Sequence, residues 1–231
     1  MRPAPVWLKR GLVALIALIL LWQGWYLGRV VWWKFSDPGM THFMSLRLDE
    51  LREKNPKAEL RHLWVPYGRV SVHLKRAVIA AEDDKFVEHE GFDWEGIQKA
   101  IEKNQRRGKV VAGGSTISQQ LAKNLFLSAS KTPWRKAQEA VITLMIEVVW
   151  DKRRILEVYL NVVEWGEGLF GAEAAARRYF GTSAAGLSAE QAARLAVMLP
   201  APRRFERNPH SDYLDRRTRL VLGRMQYSEV P

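Results

Sequence analysis

The sequence predicts an all-α protein, with one apolar helix near its N-terminus followed by a single helical domain. Three observations carry this. Gly11–Gly28 contains no charged residue. From Ser71 onward, apolar residues recur at helical spacing between clear start and stop signals. No convincing run alternates apolar and polar residues as a half-buried strand would. At 231 residues, 47% of them hydrophobic, the chain has room for one sizeable domain and enough apolar side chain to fill its core.

The apolar run comes first. Gly11–Leu21 is almost entirely Leu, Ile, Val and Ala, and Trp22, Trp25, Tyr26, Trp32 and Trp33 crowd its far end as an aromatic belt does at a membrane interface. Taken over 11–33 it is long enough to cross a bilayer, with Arg29 able to reach towards headgroups. Arg2, Lys9 and Arg10 precede it, so residues 1–10 are expected in the cytoplasm and the following domain outside it. A cleavable leader needs small residues at its end, whereas Leu21–Leu27 is mostly Trp, Tyr and Leu. The expectation is therefore a retained, single-pass anchor.

Residues 34–70 read as a connector: Asp37-Pro38-Gly39 is turn chemistry, and Asn55-Pro56 ends whatever helix Leu46–Lys54 forms. The domain proper spans 71–231. A helix is predicted over His73–Ala81, and a second begins at an Asp93 cap and ends in Gln105-Arg106-Arg107-Gly108. Thr116 with Gln119 forms a capping box for a third. Pro133 opens a fourth, running to about Trp150. Lys152–Val163 and Ala172–Phe180 follow, the latter stopped by Gly181. Ser188 with Gln191 boxes a helix ended by Pro200, and a basic amphipathic helix, Tyr213–Tyr227, closes the chain.

Composition narrows the chemistry. There is no cysteine, which excludes disulfides and thiolate metal sites. The five histidines (His42, His62, His73, His89 and His210) lack metal-ligand spacing, so no zinc site is expected. A formal charge of +11 calls for an anionic partner, and the apolar span favours lipid headgroups or a phosphorylated substrate over nucleic acid.

Three segments carry candidate chemistry. EDDKFVEHEG (82–91) puts carboxylates at a helix C-terminus, against the macrodipole. The cluster is either a solvated helix end or a general base whose pKa its neighbours raise. GGSTISQQLAKNLF (113–126) opens a helix with exposed backbone donors. Its Ser115, Gln119 and Lys123 fall on one face, flanked by Gln120 and Asn124, while Ile117, Leu121 and Leu125 fall on another. Such a stripe suits a surface helix as well as an anion cradle. In KTPWRKAQEAVITLMIEVVW (131–150) the apolar positions are too many for one narrow seam, so the helix is central and Glu139 or Glu147 is partly buried, which calls for a partner.

Those segments, with RKAQE (135–139), KRRILEVYLN (152–161), GAEAAARRYFG (171–181) and LSAEQAARLAVMLPAP (187–202), resemble the ordered motifs of the bacterial peptidoglycan glycosyltransferases. The resemblance runs from about Val65 to Pro202. It is closer to the monofunctional enzymes than to the bifunctional penicillin-binding proteins, which implies no transpeptidase activity. It implies a lysozyme-like α-helical fold with a small membrane-facing jaw, to which the 34–70 connector contributes. The implied reaction polymerises lipid II into β-1,4 glycan strands at the bacterial inner membrane, releasing undecaprenyl pyrophosphate.

Under this resemblance Glu82 is the general base and Glu139 the second catalytic glutamate. Gly114, Ser115, Thr116, Gln119, Gln120, Lys123, Asn124, Lys131, Arg135 and Lys136 line the donor and its pyrophosphate, and Asp83, Phe86 and His89 shape the surroundings of the base. Lys131 departs from the family's usual arginine, keeping the charge but losing the bidentate fork. A divalent cation, Mg or Mn, is expected with the pyrophosphate near Glu139 rather than in a fixed protein site, and no organic cofactor is expected. The implied partners are lipid II, the lipid-linked growing strand, the membrane, and cell-division or elongation proteins.

Overall fold

In the computed structural model of the chain, which describes residues 6–109 and 113–231, helix α1 runs unbroken over Val6–Phe35. Its Lys9–Phe35 stretch is long and apolar enough to cross a membrane. Arg2, part of the basic flank read from the sequence, lies outside the described residues. The first half of α1 is exposed, while the second half docks on the domain. Val30 and Trp33 are buried, Gln23 exchanges hydrogen bonds with Gln138, and Trp150 Nε1 donates to the Val30 carbonyl at 2.8 Å.

Helix α2 (His42–Lys54) follows, with the Thr41 hydroxyl accepting from the Met44 N–H as its N-cap. Then come β1 (Arg61–His62), α3 (Val72–Glu82) and α4 (Trp94–Arg107). α4 starts on the predicted Asp93 cap and stops at Gly108, whose φ of +62° suits glycine. α5 (Ile117–Phe126) carries the predicted Thr116/Gln119 capping box, and α6 (Pro133–Val149) has the predicted proline in its first turn. After α7 (Lys152–Val162) come β2 (Glu164–Gly166), β3 (Leu169–Phe170) and α8 (Ala172–Phe180). α9 (Ala189–Met198), α10 (Pro202–Arg207) and α11 (Asp212–Arg224) complete the chain.

The protein is all-α in class, as expected. Helix α5 packs between α6 and α7, and α3 lies against α9, itself covered by α11. Ile117, Leu121 and Leu125 of α5 join Ile155, Leu156 and Tyr159 of α7 in one continuous core. α5 is therefore a central helix, and the surface-helix reading of its polar stripe fails.

Two features differ from the sequence reading. A small sheet of order β1-β3-β2 is present, β1 parallel and β2 antiparallel to β3. Its strands are two or three residues long, too short for alternation to register. The buried Asn161 side chain holds the chain after β1, accepting from the Val65 N–H at 2.8 Å and donating to its carbonyl at 2.9 Å. The helix expected at Leu46–Lys54 in the connector also starts a turn earlier, as α2 from His42, and packs on α5. Its weak apolar pattern hid that first turn, where its two buried residues, Phe43 and Met44, lie.

Candidate active site

The C-terminus of α3, one face of α5 and the first turns of α6 converge on a cleft of about 580 Å³. Glu82, Lys123, Arg135, Lys136 and Glu139 all line it. Because α5 is pinned by its apolar face, the helical repeat turns Gln119, Gln120, Lys123 and Asn124 into the same opening.

Glu82 is the last residue of α3 and sits at the cleft wall, half-buried among protein atoms. Its Oε2 accepts from Gln120 Nε2 at 2.7 Å, and Gln120 Oε1 accepts from the Tyr159 hydroxyl at 3.0 Å. Burial raises the Glu82 pKa above the ordinary carboxylate value. The Gln120 hydrogen bond and the charge of Lys123 oppose the rise, and neighbouring Asp83 adds to it. Lys123 is shifted the other way. Burial lowers its ammonium pKa, opposed by the charge of Glu139.

Asp83 does a different job from its neighbour. It is buried, and its Oδ2 accepts from the Ile117 N–H at 2.9 Å, closing the N-terminus of α5 onto the C-terminus of α3. Its Oδ1 lies 2.8 Å from His89 Nε2. His89 Nδ1 accepts from the Gly91 N–H at 3.1 Å, so the ring proton is on Nε2 and is donated to Asp83. Thr116 is equally committed: its hydroxyl donates to the Gly91 carbonyl at 2.7 Å and accepts from the Gln119 N–H. Phe86 lies wholly in the core under the Lys152 ammonium and does not line the cleft.

Glu139 is almost completely buried, with its two oxygens taken by Arg135, at 2.5 Å, and by Lys136. Lys136 also reaches the Ser115 hydroxyl at 3.4 Å. Arg135 Nε is buried and has no hydrogen-bond partner among the described residues. Lys131 is exposed at the rim, and Gly113 and Ser115 border the opening. Gly114 lines a smaller pocket of about 160 Å³ on the other side of Glu82, where a Cβ would meet the Ile97 backbone at 3.0 Å. Glu147, the other acid weighed in α6, is bound by Ser118 and Lys152 away from the cleft.

Some wall residues were not foreseen. Phe43 and Arg47 come from α2, and Glu164 from β2. Arg47 Nε binds Glu164 at 3.1 Å and Arg203 Nε binds it at 3.2 Å, tying α2 and α10 to the sheet. The four-residue spacing of Phe43 and Arg47 was the available signal, since the guanidinium lies 4.7 Å over the ring.

Comparison with known proteins bears on this arrangement. Residues 49–226 match the family model described as Transglycosylase. Curated relatives named biosynthetic peptidoglycan transglycosylase include one from Azoarcus sp., 64% identical over 225 residues and covering 97% of each chain. Another, from Dechloromonas aromatica, is 63% identical over 225 residues, again 97% of each. A third, from Aromatoleum aromaticum, is 64% identical over 222 residues and 96% of each. The chain belongs to this family, the biosynthetic peptidoglycan transglycosylases, and is a glycosyltransferase enzyme.

Proposed function

We propose that this transglycosylase polymerises lipid II into β-1,4 glycan strands, with Glu82 as general base, while α1 anchors it in the bacterial inner membrane. The observation that carries this reading is the shared cleft. A carboxylate of raised pKa and a set of cations border one opening, so an alcohol can be activated while a phosphorylated group departs.

The growing strand, held through its lipid pyrophosphate, is the donor, and a new lipid II is the acceptor. Glu82 takes the proton of the acceptor's 4-hydroxyl as that oxygen bonds to the donor's anomeric carbon. The bond from that carbon to the pyrophosphate oxygen breaks, and undecaprenyl pyrophosphate leaves. Direct displacement inverts the configuration, turning an α-linked donor into a β-linked product. Lys123, Arg135 and Lys136 stabilise the negative charge that grows on the leaving group, and preorganised charge in a water-poor site is commonly the largest contribution to such a rate.

Glu139 is best read as the group that holds Arg135 and Lys136 in place. Its pairing with two cations counts against a protein-held divalent ion, and among the described residues no three carboxylate or imidazole groups converge on one point. Any Mg or Mn is therefore proposed to enter with the pyrophosphate substrate rather than in a fixed protein site. Lys9 and Arg10 before the apolar span favour a cytoplasmic N-terminus and an extracytoplasmic cleft. No transpeptidation is proposed for these residues.

The test is a polymerisation assay with purified full chain and lipid II, with magnesium and with a chelator. Strands of β-1,4-linked disaccharide with release of the lipid pyrophosphate are expected with magnesium, and at a reduced rate with the chelator, because the cation comes with the pyrophosphate. Cleavage of finished peptidoglycan without lipid II turnover would instead identify a hydrolase.

A further inference from the structure

A second pocket, of about 530 Å³, lies between α1, α2 and the end of α5 and shares no lining residue with the catalytic cleft. Trp25, Arg29 and Trp33 fall four residues apart on one stripe of α1. The Arg29 guanidinium sits 4.3 Å from the Trp33 ring centroid and 5.7 Å from that of Trp25. Stacking on ring faces uses the guanidinium plane and leaves its edge of N–H donors unspent. Among the described residues Arg29 has no carboxylate partner and no hydrogen bond. The exposed His42 and Ser45 supply a polar rim, and Leu125 and Phe126 an apolar wall.

Position matters as much as chemistry. From Gly11 to Arg29 the helix rises about 27 Å, close to the thickness of a hydrocarbon core. On the anchor reading above, on which this inference rests, Arg29 stands about one turn inside the outer end of the span, where its side chain reaches the phosphate groups. We propose that this pocket is a headgroup site for an anionic glycerophospholipid, with Arg29 as the phosphate ligand and the adjoining apolar wall against the lipid's acyl region. A single guanidinium framed by aromatic rings matches one phosphodiester. The pyrophosphate substrate has its own, more highly charged cleft on the other side of α5.

The experiment is native mass spectrometry of the full chain in detergent micelles, titrated with phosphatidylglycerol or phosphatidylcholine, beside flotation with vesicles. One phosphatidylglycerol adduct should form with at least fivefold preference over phosphatidylcholine, and Arg29→Gln should reduce that preference below twofold. Arg10→Gln, at the opposite end of the span, should keep it. Equal binding of the two lipids, or an undiminished preference in Arg29→Gln, overturns the proposal. So does one-for-one displacement of the adduct by lipid II, which would assign the pocket to the substrate path. Parental protein that fails to float overturns the anchor reading and this site with it; protein that floats without lipid preference overturns the site alone.

Discussion

Glu82 Oε2 accepts a 2.7 Å hydrogen bond from Gln120, whose carbonyl oxygen is in turn held by the Tyr159 hydroxyl. Tyr159 is fully buried, so the amide is turned with its NH₂ group towards the carboxylate by a residue that cannot easily move. This relay stabilises the ionised acid against its own burial. In the proposed mechanism this keeps Glu82 available as a base, while its burial leaves it basic enough to take a proton.

Replacing Glu82 by Gln should lower polymerisation of lipid II about a thousandfold and leave the fold intact. The sign of the stability effect is also set. A carboxyl group whose folded-state pKa is raised binds its proton more tightly when folded, so its contribution falls as pH rises from the unfolded value through the folded one. The variant should therefore melt no lower than the parent at pH 7, with any difference vanishing below pH 4. A parental polymerisation rate in the variant would remove Glu82 from the chemistry.

Gln120→Leu should shift the acid limb of the rate profile to higher pH by about one unit, because a hydrogen bond to the ionised carboxylate is lost. Tyr159→Phe should move it the same way by less. A rate measured from pH 5 to pH 9 decides this, and an unmoved limb would show that the relay does not tune the base.

Lys123→Ala should cut turnover about a hundredfold with little change in melting temperature at pH 7. Burial lowers the lysine pKa, so carrying the charge in the folded protein is a cost that the substitution removes. A large drop in melting temperature would make Lys123 a structural residue instead.

Asp83→Ala is expected to behave oppositely to Glu82→Gln, although the two acids are adjacent. It removes the cap on the Ile117 N–H and the acceptor for His89, and should destabilise by about 2 kcal/mol in a denaturant titration. Undiminished stability would contradict the role assigned to that side chain.

Much of this molecule is determined locally. The caps at Asp93, Thr116 and Ser188 act on backbone donors within three residues, so their helices were legible from the sequence. The apolar span from 11 to 33 was legible for a similar reason, since its length and lack of charge are properties of the chain itself. The stripe of Ser115, Gln119 and Lys123 follows from helical periodicity, but periodicity does not say whether a polar face meets solvent or a cleft. That was decided by Asp83, which ties α5 to α3 across 34 residues of sequence, and by Tyr159 and the α6 cations brought in from other helices. The walls supplied by Arg47 and Glu164, and the pocket around Arg29, likewise exist only because α1, α2 and the short sheet pack where they do. Contacts between distant segments depend on the three-dimensional meeting of surfaces, whereas a cap or an apolar span needs only its own neighbours.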